Sequence, residues 1–436
     1  MTDATQRQTM IADTLVEAFE DLMQADPEAF RTKFRKMAAD PFAFYRGSAC
    51  LFYADMKDFT DPWADDRTSR VWIHGDLHAE NFGTYMGSNG LLTFDVNDFD
   101  EAYLGHFSWD LRRFVTSLAV LCWRKAFPES AIRELARTYL DSYLTQVDHY
   151  AKGQDDFALH LDNTEGPILG RLQTARSKRR SELLDSITLV DDYERQFRHD
   201  GQTRQLGDVE RAEVQRAFTD YLTTIPESTK SVREEFFTIK DVVGRKGFGI
   251  GSAGLPAYTI LIEGFDQAQE NDILLSMKQG SVAAPSRVLT DQTLRGYFDH
   301  DGHRTVLSQR ALQADTDRFL GHTIVNGIGF VVSELSPYTV DLSWENLTEP
   351  DEIDGVLADL GRATAKIHCA SDQDSDQSLV PFQTEDAIIA VIGDRREEFI
   401  SEITDFAIDY SDRVRRDRAL FIEAFRENKI PGVPST

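Results

Sequence analysis

Two short segments in the first hundred residues carry side chains suited to phosphoryl transfer. They are residues 74–81 (HGDLHAEN) and residues 95–100 (DVNDFD). This chemistry needs a carboxylate that orients the attacking hydroxyl, and it needs a carboxylate and an amide oxygen that hold Mg²⁺ on the nucleotide phosphates. Asp76 has the type and position of the orienting base, and Asn81 and Asp98 have those of the magnesium ligands.

Each segment follows a stretch that is predicted to be a buried strand. Residues 71–73 (VWI) lead into the first segment and residues 91–94 (LLTF) into the second, with a Gly-Ser-Asn-Gly turn at 87–90 between them. We therefore expect one small β-meander to deliver the two carboxylate-bearing loops side by side. Asp95 is an alternative to Asp98 as the metal ligand, because it also lies at the end of the second strand. The alternative is that these residues have no catalytic role, and that Asp and Asn only cap two polar loops.

Residues 74–78 together with Asn81 resemble the catalytic loop of aminoglycoside phosphotransferases and related kinase-like enzymes. Residues 98–100 (DFD) resemble their metal-binding loop. Residues 105–111 (GHFSWDL) are similar to the Gly-Asp-Pro-x-x-Asp-Leu segment that follows it, with His-Phe in place of Asp-Pro. The resemblance implies that Asp110 is a buried carboxylate that braces the catalytic loop and does not itself react.

A glycine-rich turn between predicted strands lies much later in the chain. The pattern predicts strands at 236–243, 257–263 and 273–278. A kinase phosphate-binding flap has this layout: a strand, a glycine-rich turn, a second strand and then a strand that bears a lysine. In such a flap the backbone amides approach the phosphates, and the lysine neutralises the phosphate charge. A tight turn with no ligand is the alternative for the glycines alone. The candidate nucleotide contacts here are Gly249, Gly251, Ser252, Gly254 and Lys278.

The partner of Lys278 is an open question in the sequence. A helix is predicted over 305–320, where a kinase carries a helix whose Glu pairs with the strand lysine. No Glu occurs between positions 270 and 334, so Gln309 or Asp315 would take that place.

The expected adenine contact follows from a hairpin predicted over 324–335. In a kinase-like fold its last strand leads to the hinge, so the backbone of Glu334 and Leu335 would face the base. Further accessory candidates lie in the motifs or in segments expected to face the cleft. They are Arg46, His74, His78, Asp95, Asp100, Asp110 and Gln309.

The motifs occur in the reverse of the kinase order, in which the glycine-rich hairpin and its lysine come first. Either the motifs are a chance assembly, or the chain is circularly permuted around the same cleft. A predicted helix over 353–370, which resembles the one that precedes a catalytic loop, favours permutation. We therefore predict an α+β, kinase-like, two-lobed fold. Residues 1–230 would form the catalytic part, 231–340 a small antiparallel nucleotide-binding part, and 341–436 a helical part that returns to the catalytic lobe.

The chain from about residue 40 to 430 also resembles an uncharacterised bacterial and archaeal family, domain of unknown function 2252 (DUF2252). The family name supplies no activity. The matching pieces are residues 44–47 (FYRG), 74–83, 97–100, 109–111 and 249–254, Lys278, and residues 410–412 with Asp417.

Composition excludes several classes of protein. A net charge of −27 over 436 residues argues against a general nucleic-acid binder. No apolar run approaches the ~20 residues of a membrane span, and the polar N-terminus has no signal pattern. Cys50, Cys122 and Cys369 are widely spaced and fit reduced core thiols. We therefore expect a cytoplasmic protein without nucleic-acid or membrane partners, and its oligomeric state stays open.

Helical periodicity predicts most of the remaining chain. The segments concerned are 1–39, 42–55, 111–126, 130–150, about 180–200, 208–223, 384–410 and 412–428.

The leading functional hypothesis is an ATP- and Mg²⁺-dependent phosphotransferase, and the resemblance to aminoglycoside kinases favours a small-molecule acceptor. Transfer of AMP on the same site is a second hypothesis. A nucleotide-binding pseudokinase or scaffold is the third, and it is less favoured because none of the charged catalytic residue types is missing.

Overall fold

The computed structural model describes residues 4–154, 158–199, 201, 203–230, 233–245, 255–289, 291–375 and 378–436. Within these ranges the chain is an α+β protein of long helices and small antiparallel sheets. The helices are α1 (Ala4–Ala25), α2 (Pro27–Ala39), α3 (Pro41–Gly47), α4 (Ala49–Met56), α5 (Phe107–Arg124), α6 (Glu129–Tyr150), α7 (Gly166–Arg176), α8 (Arg180–Ile187), α9 (Asp208–Tyr221), α10 (Glu227–Lys230), α11 (Gln292–Tyr297), α12 (Asp301–Leu312), α13 (Pro350–Cys369), α14 (Thr384–Ile392) and α15 (Arg396–Arg426). In the ranges described, no helix is both long enough and apolar enough to cross a membrane.

The described strands form three two-stranded sheets and one sheet of six strands, all paired antiparallel. They are β1 (Val71–Ile73), β2 (Phe82–Met86), β3 (Leu92–Val96), β4 (Tyr103–Gly105), β5 (Thr188–Asp191), β6 (Glu194–Phe197), β7 (Thr203–Arg204), β8 (Ile239–Arg245), β9 (Ala257–Ile262), β10 (Ile273–Gln279), β11 (Gly321–Val325) and β12 (Ile328–Glu334). The six-stranded sheet has the order β11-β12-β10-β9-β8-β7. The three strands predicted around the glycine-rich turn are confirmed, with shifted ends.

The six-stranded sheet is covered on both faces, and for this reason β9 (AYTILI) is buried along its whole length. Ile260 packs with Phe218 of α9 on one face, and Leu261 packs with Leu184 of α8 on the other. Alternate residues of a strand point to opposite faces. By the same alternation, Lys278 near the end of β10 lies on the face opposite the α9 core, in register with Val331 of β12.

The packed unit of this sheet begins before residue 231, where the sequence analysis places a boundary. Residues 203–204 already pair with β8. Val214, Phe218 and Tyr221 of α9 share a hydrophobic core with the strands.

The predicted β-meander is wrong in its pairing. Strand β1 pairs with β4, in the register Val71 to Gly105, and β2 pairs with β3, in the register Met86 to Leu92. The turn at 87–90 therefore closes a β2–β3 hairpin. Residues 82–86 (FGTYM) carry a glycine and no clear alternation, so the sequence did not reveal them as a strand.

Three helix predictions also need correction. Residues 188–197 form the β5–β6 hairpin, whose turn residues Asp192 and Tyr193 both have positive φ (46° and 68°), as the tight turns that suit hairpins require. The helix expected over 305–320 ends at Leu312. The C-terminal helices separate at Gly393, where φ is +59°, and α15 then runs unbroken through residues 410–412.

The main core is helical and joins both ends of the chain. Helix α13 packs along α6 so closely that a Cβ at Gly361 would lie 2.4 Å from the carbonyl oxygen of Tyr139. Phe114 of α5 stacks on the Tyr139 ring, with 4.0 Å between the ring centroids. The three cysteines are buried thiols, as expected. The segment after residue 341 is therefore part of the same core as α5 and α6.

A buried ion pair ties α13 to the end of β3. Lys366 and Asp95 are both almost fully buried, and Lys366 Nζ lies 2.5 Å from Asp95 Oδ2. Lys366 also donates to the carbonyl of Leu312 at the end of α12. Because each charge compensates the other away from water, removal of one partner leaves an uncompensated charge in the core.

Lys366→Ala is expected to lower the free energy of unfolding by about 3–5 kcal/mol, since the charge of Asp95 would lose its partner. Urea unfolding measures the change. Exposed Lys152 is the control, and Lys152→Ala should stay within about 0.5 kcal/mol of wild type. The double variant Asp95→Asn, Lys366→Met should recover most of the loss. A loss below about 1 kcal/mol in Lys366→Ala would contradict this account.

Candidate active site

A fully buried carboxylate holds the 74–81 loop in place. Asp110 accepts hydrogen bonds from the amides of His74 (2.6 Å) and Gly75 (3.0 Å). His368 Nε2 lies 3.3 Å from the same carboxylate, and the other ring nitrogen lies 2.8 Å from the hydroxyl of Tyr143. Asp110 has the bracing geometry that the family resemblance implies, and His368 is a packed residue that supports it.

The 74–81 loop and the 95–100 loop are joined by two hydrogen bonds, and a third lies within the 74–81 loop. His74 Nε2 lies 2.7 Å from the carbonyl oxygen of Asn97, so this nitrogen carries the proton. The amide of Asn97 donates to the carbonyl of Asn81 (2.9 Å), and the side-chain Nδ2 of Asn81 donates to the carbonyl of Asp76 (2.9 Å). The two loops therefore form one rigid unit, although they leave different sheets.

Asp76 is held by an arginine that the sequence analysis missed. Arg113 is fully buried; its Nε donates to Asp76 Oδ1 at 2.7 Å, and its Nη2 donates to the same oxygen. The ring of Tyr45 covers the guanidinium at 4.4 Å. Burial and, to a smaller extent, the charge of Asp98 raise the pKa of Asp76 to about 6, against the lowering effect of Arg113.

The lysine of β10 reaches the second loop. Lys278 forms an ion pair with Asp100. Although burial works against it, the pKa of Lys278 is raised by Asp100 and Asp98. Asp100 therefore takes the place that the sequence analysis gives to Gln309 or Asp315. Gln309 bonds Gln313 instead, and Asp315 bonds Asn89.

Helix α12 is anchored to the same loop from behind. Arg304, which is buried, donates to the carbonyl oxygens of Asp100 (2.8 Å) and Ala102 (2.5 Å). The sheet and its neighbouring helix thus both contact the loop that carries Asp98.

Of the two candidate metal ligands in this loop, only Asp98 faces the cleft. Asp95 is buried against Lys366. Asp98 has a left-handed backbone (φ +61°), which Asp tolerates better than most residues, and its side chain is exposed in the cleft. Burial and then the charge of Asp100 raise the pKa of Asp98, against the lowering effect of Lys278.

The donor chemistry around Asp98 fits Mg²⁺. Because Nδ2 of Asn81 is used on the loop, its Oδ1 is left without a hydrogen bond among the described residues. No cluster of three or more His, Cys, Asp or Glu side chains able to hold a metal occurs in the described ranges. Magnesium on a nucleotide needs only one or two protein oxygens, because phosphates and waters complete its shell. Asn81 and Asp98 are the residues that would hold it.

Of the remaining predicted site residues, some line the cleft, one is buried behind it, and four lie outside the described residues. Arg46 forms an ion pair with Glu80 and lines the cleft beside Asp76. His78 is buried, with Nε2 3.9 Å from Asp76 Oδ2, and burial followed by nearby arginines lowers its pKa well below the usual value. The four predicted contacts in the glycine-rich turn, Gly249, Gly251, Ser252 and Gly254, lie outside the described residues.

The predicted adenine-contacting backbone is already engaged within the protein. The amide of Glu334 donates to Asp317 (2.6 Å), and that of Leu335 donates to the carbonyl of Leu274 (2.9 Å). The side chain of Glu334 pairs with Arg180, from the basic run at 176–180. A ligand at this edge would have to use other groups than these two amide protons.

Two cavities share Asp98 and Asp100 in their walls. The sheet-side cavity, of about 240 Å³, is also lined by Lys278, Gln309 and Glu334. The helix-side cavity, of about 340 Å³, is lined by Phe19, Lys33, Arg46, Asp76 and Glu101 as well. The carboxylates therefore lie where the two cavities meet.

Arg113, Lys33, Glu101 and Arg304 are site residues that sequence reasoning did not find. A signal existed for Arg113, because Arg112-Arg113 interrupts an otherwise apolar helix directly after Asp110. Lys33 lies in a helix whose pattern is ordinarily amphipathic, so nothing local marked it as buried.

A family model described as "Uncharacterized protein conserved in bacteria (DUF2252)" matches residues 25–424, and the chain belongs to that family. No curated protein and no solved structure matches the chain.

Arg113→Met is expected to raise the pKa of Asp76 above about 6, because the cation that favours the carboxylate form would be lost while burial remains. Carbon-13 NMR titration of aspartate-labelled protein measures it, with Asp76→Asn to assign the signal. Arg176→Met, at an exposed position, is the matched control. An unchanged or lowered pKa in Arg113→Met would refute the electrostatic role given to Arg113.

Proposed function

We propose that this protein is an ATP- and Mg²⁺-dependent phosphotransferase with a kinase-like, circularly permuted fold. The observation that supports this most is the ion pair between Lys278 and Asp100. It brings the lysine strand from late in the chain onto the loop of Asp98, beside Asp76 and Asn81. These are the residue types that kinases use. Lys278 lines the sheet-side cavity and Asp76 the helix-side cavity, and Asp98 lines both.

The strand arrangement around Lys278 is consistent with the proposal. Strands β8, β9, β10, β12 and β11 are adjacent in that order, and the segment between β10 and β11 contains α11 and the longer α12. Lys278 thus lies on the third of these five strands and is followed by a helix, as in the kinase layout. The departure is that an Asp of the metal loop, and no acid of the helix, pairs with the lysine.

The C-terminal contacts support the permuted order. Residues 341–436 would return to the catalytic part, residues 1–230, after the nucleotide part, residues 231–340. Two side chains of α13 do contact the early part of the chain: His368 contacts Asp110 of α5, and Lys366 contacts Asp95 of β3.

Each charged group would have a separate role in the transfer. The acceptor hydroxyl would lie on Asp76, its oxygen would bond to the γ-phosphorus as the bond to the β–γ bridging oxygen breaks, and its proton would pass to Asp76 while ADP leaves. A carboxylate with a pKa of about 6 is suited to take that proton. Lys278 would neutralise phosphate charge. Bound Mg²⁺, held by Asn81 and Asp98, would supply further charge neutralisation on the phosphates.

The two cavities suggest where the substrates bind. The nucleotide would occupy the sheet-side cavity, because Lys278 lines it. The acceptor would occupy the helix-side cavity, where Asp76 is in the wall. A cavity of about 340 Å³ has the size of a small-molecule pocket.

Asp76→Asn is expected to lower the rate of phosphoryl transfer at least 100-fold, since general-base catalysis contributes about 10²–10⁴, and to leave Mg·ATP binding intact. Asp98→Asn should instead weaken Mg²⁺-dependent ATP binding. Calorimetry and thermal shift measure binding; saturation at about 100-fold the Kd should stabilise the protein by about 2.7 kcal/mol. Asp162→Asn, at an exposed site, is the control. Full turnover in Asp76→Asn would refute the proposal.

Mass spectrometry of the products, in the same reactions, separates the alternatives. A product that carries an added phosphate supports phosphoryl transfer. A product that carries an added AMP supports nucleotidyl transfer and refutes phosphoryl transfer. Mg·ATP binding with no transfer to any acceptor would identify a pseudokinase.

The pH dependence of turnover should report the ionisation of Asp76. Its active form is the carboxylate, so the rate should rise with pH through about 6 and level off above. Below that pH the rate should fall about tenfold per unit. Steady-state rates at constant ionic strength between pH 5 and 8 measure this. An acid limb centred near pH 4 would show that Asp76 is not the titrating base.

A further inference from the structure

The helix-side cavity contains a buried cation that forms no ion pair with any of the described residues. Lys33 of α2 is 3% exposed. In the ranges described, its ammonium has no carboxylate within ion-pairing distance and no hydrogen-bond acceptor; its nearest partner is the ring of Phe19, whose centroid lies 3.8 Å away. Burial lowers the pKa of Lys33 to about 8, while Cys50, Glu101 and Asp76 raise it, so the amine is mainly charged at neutral pH.

The other basic side chains of this cavity are differently placed. Arg46 forms an ion pair with Glu80. Arg287 donates to the backbone carbonyls of Glu17 (3.4 Å) and Ala18 (2.9 Å), so it fixes α1 against the end of the sheet. Lys33 alone among these three has no polar partner in the described residues. A buried charge left without a partner is costly, and a ligand anion would provide what the protein omits.

We propose that the helix-side cavity is the acceptor site and that Lys33 binds a carboxylate group of the acceptor, a small hydroxylated acid whose hydroxyl group faces Asp76. That this molecule is phosphorylated rests on the proposed function. The claim that the cavity binds this molecule is independent of the proposed function.

The carboxylates of the cavity restrict the charge of this acceptor. Eight acidic side chains line it against three basic ones. Glu17, Glu20 and Asp21 are exposed on α1 at the rim, and Glu101 lies deeper, where burial raises its pKa to about 7. One negative group is therefore accepted at Lys33, and further negative groups are repelled. Hydroxy acids fit this pattern, and so do hydroxy amino acids, whose ammonium group would face the acidic rim. Phosphate esters do not fit it, because they carry further negative charge.

The test measures binding to the full-length protein without nucleotide. Calorimetry compares matched pairs that differ in the carboxylate: glycerate with glycerol, gluconate with glucose, and serine with ethanolamine. Glycerol phosphate and inorganic phosphate form the phosphate arm. We expect at least one carboxylate of the panel to bind at least tenfold more tightly than its partner and than either phosphate.

Lys33→Met should weaken that binding at least tenfold, because methionine has a similar length and no charge. Lys36→Met is the matched control: Lys36 lies one turn further along α2, is exposed, and does not line the cavity, so binding should not change. Lys33→Gln, which keeps a polar head without charge, should behave like Lys33→Met. Circular dichroism and urea unfolding of each variant verify folding without reference to ATP.

Several results would overturn the inference: no binding of any carboxylate by wild type, equal binding of the uncharged partners, preference for a phosphate, or unchanged affinity in both Lys33 variants. The proposed function fails separately. Binding of a hydroxy acid through Lys33 with no transfer from ATP would leave this site standing and remove the phosphotransferase. Turnover that depends on Asp76, with an acceptor whose binding does not depend on Lys33, would support the phosphotransferase and refute the carboxylate site at Lys33.

Discussion

The carboxylate of Asp110 receives hydrogen bonds from the successive amides of His74 and Gly75 in a place from which water is excluded. Charge-assisted bonds of this kind are strong, and a buried carboxylate without them would be costly. They fix the point where β1 ends relative to α5. His368 reaches the same carboxylate from α13, so three distant segments meet at one side chain. These bonds also fix the position of Asp76, because Asp76 lies two residues beyond His74. Arg113, which lies three residues beyond Asp110 on α5, forms an ion pair with Asp76.

Charge crowding is the second constraint on this cleft. Asp76, Asp98 and Asp100 lie together in a chain that is already strongly acidic. Arg113 and Lys278 each compensate one of them. No described basic side chain pairs with Asp98, which suits a divalent cation, and Lys33 is left over as a positive charge on the helix side. Neither Asp98 nor Lys33 forms an ion pair with a described residue, and their charges have opposite sign; this is the basis for assigning different ligands to the two sides.

Local pattern was a good guide where the structure is decided within a few residues. The strand at 71–73, the strands around the glycine-rich turn and the long helices after Asp110 were predicted correctly in type. Predictions failed where distant contacts decide. Residues 188–197 pair as a hairpin that packs on the large sheet, and the helix after Asp301 ends at Leu312, whose carbonyl accepts a hydrogen bond from Lys366. The periodicity of either segment contains no information about these partners.

The sequence by itself determined which chemical groups are available and their spacing along each loop: Asp76 five residues before Asn81, Asp98 after a buried strand, and a lysine on a later strand. The tertiary structure alone decided their partners. Asp100, and neither Gln309 nor Asp315, pairs with Lys278; Asp95 is buried against Lys366; and Lys33 is buried without an ion pair to any described residue. The physical reason is that ion pairing and burial depend on distances in space between segments far apart in the chain, and residue spacing along one segment does not specify them.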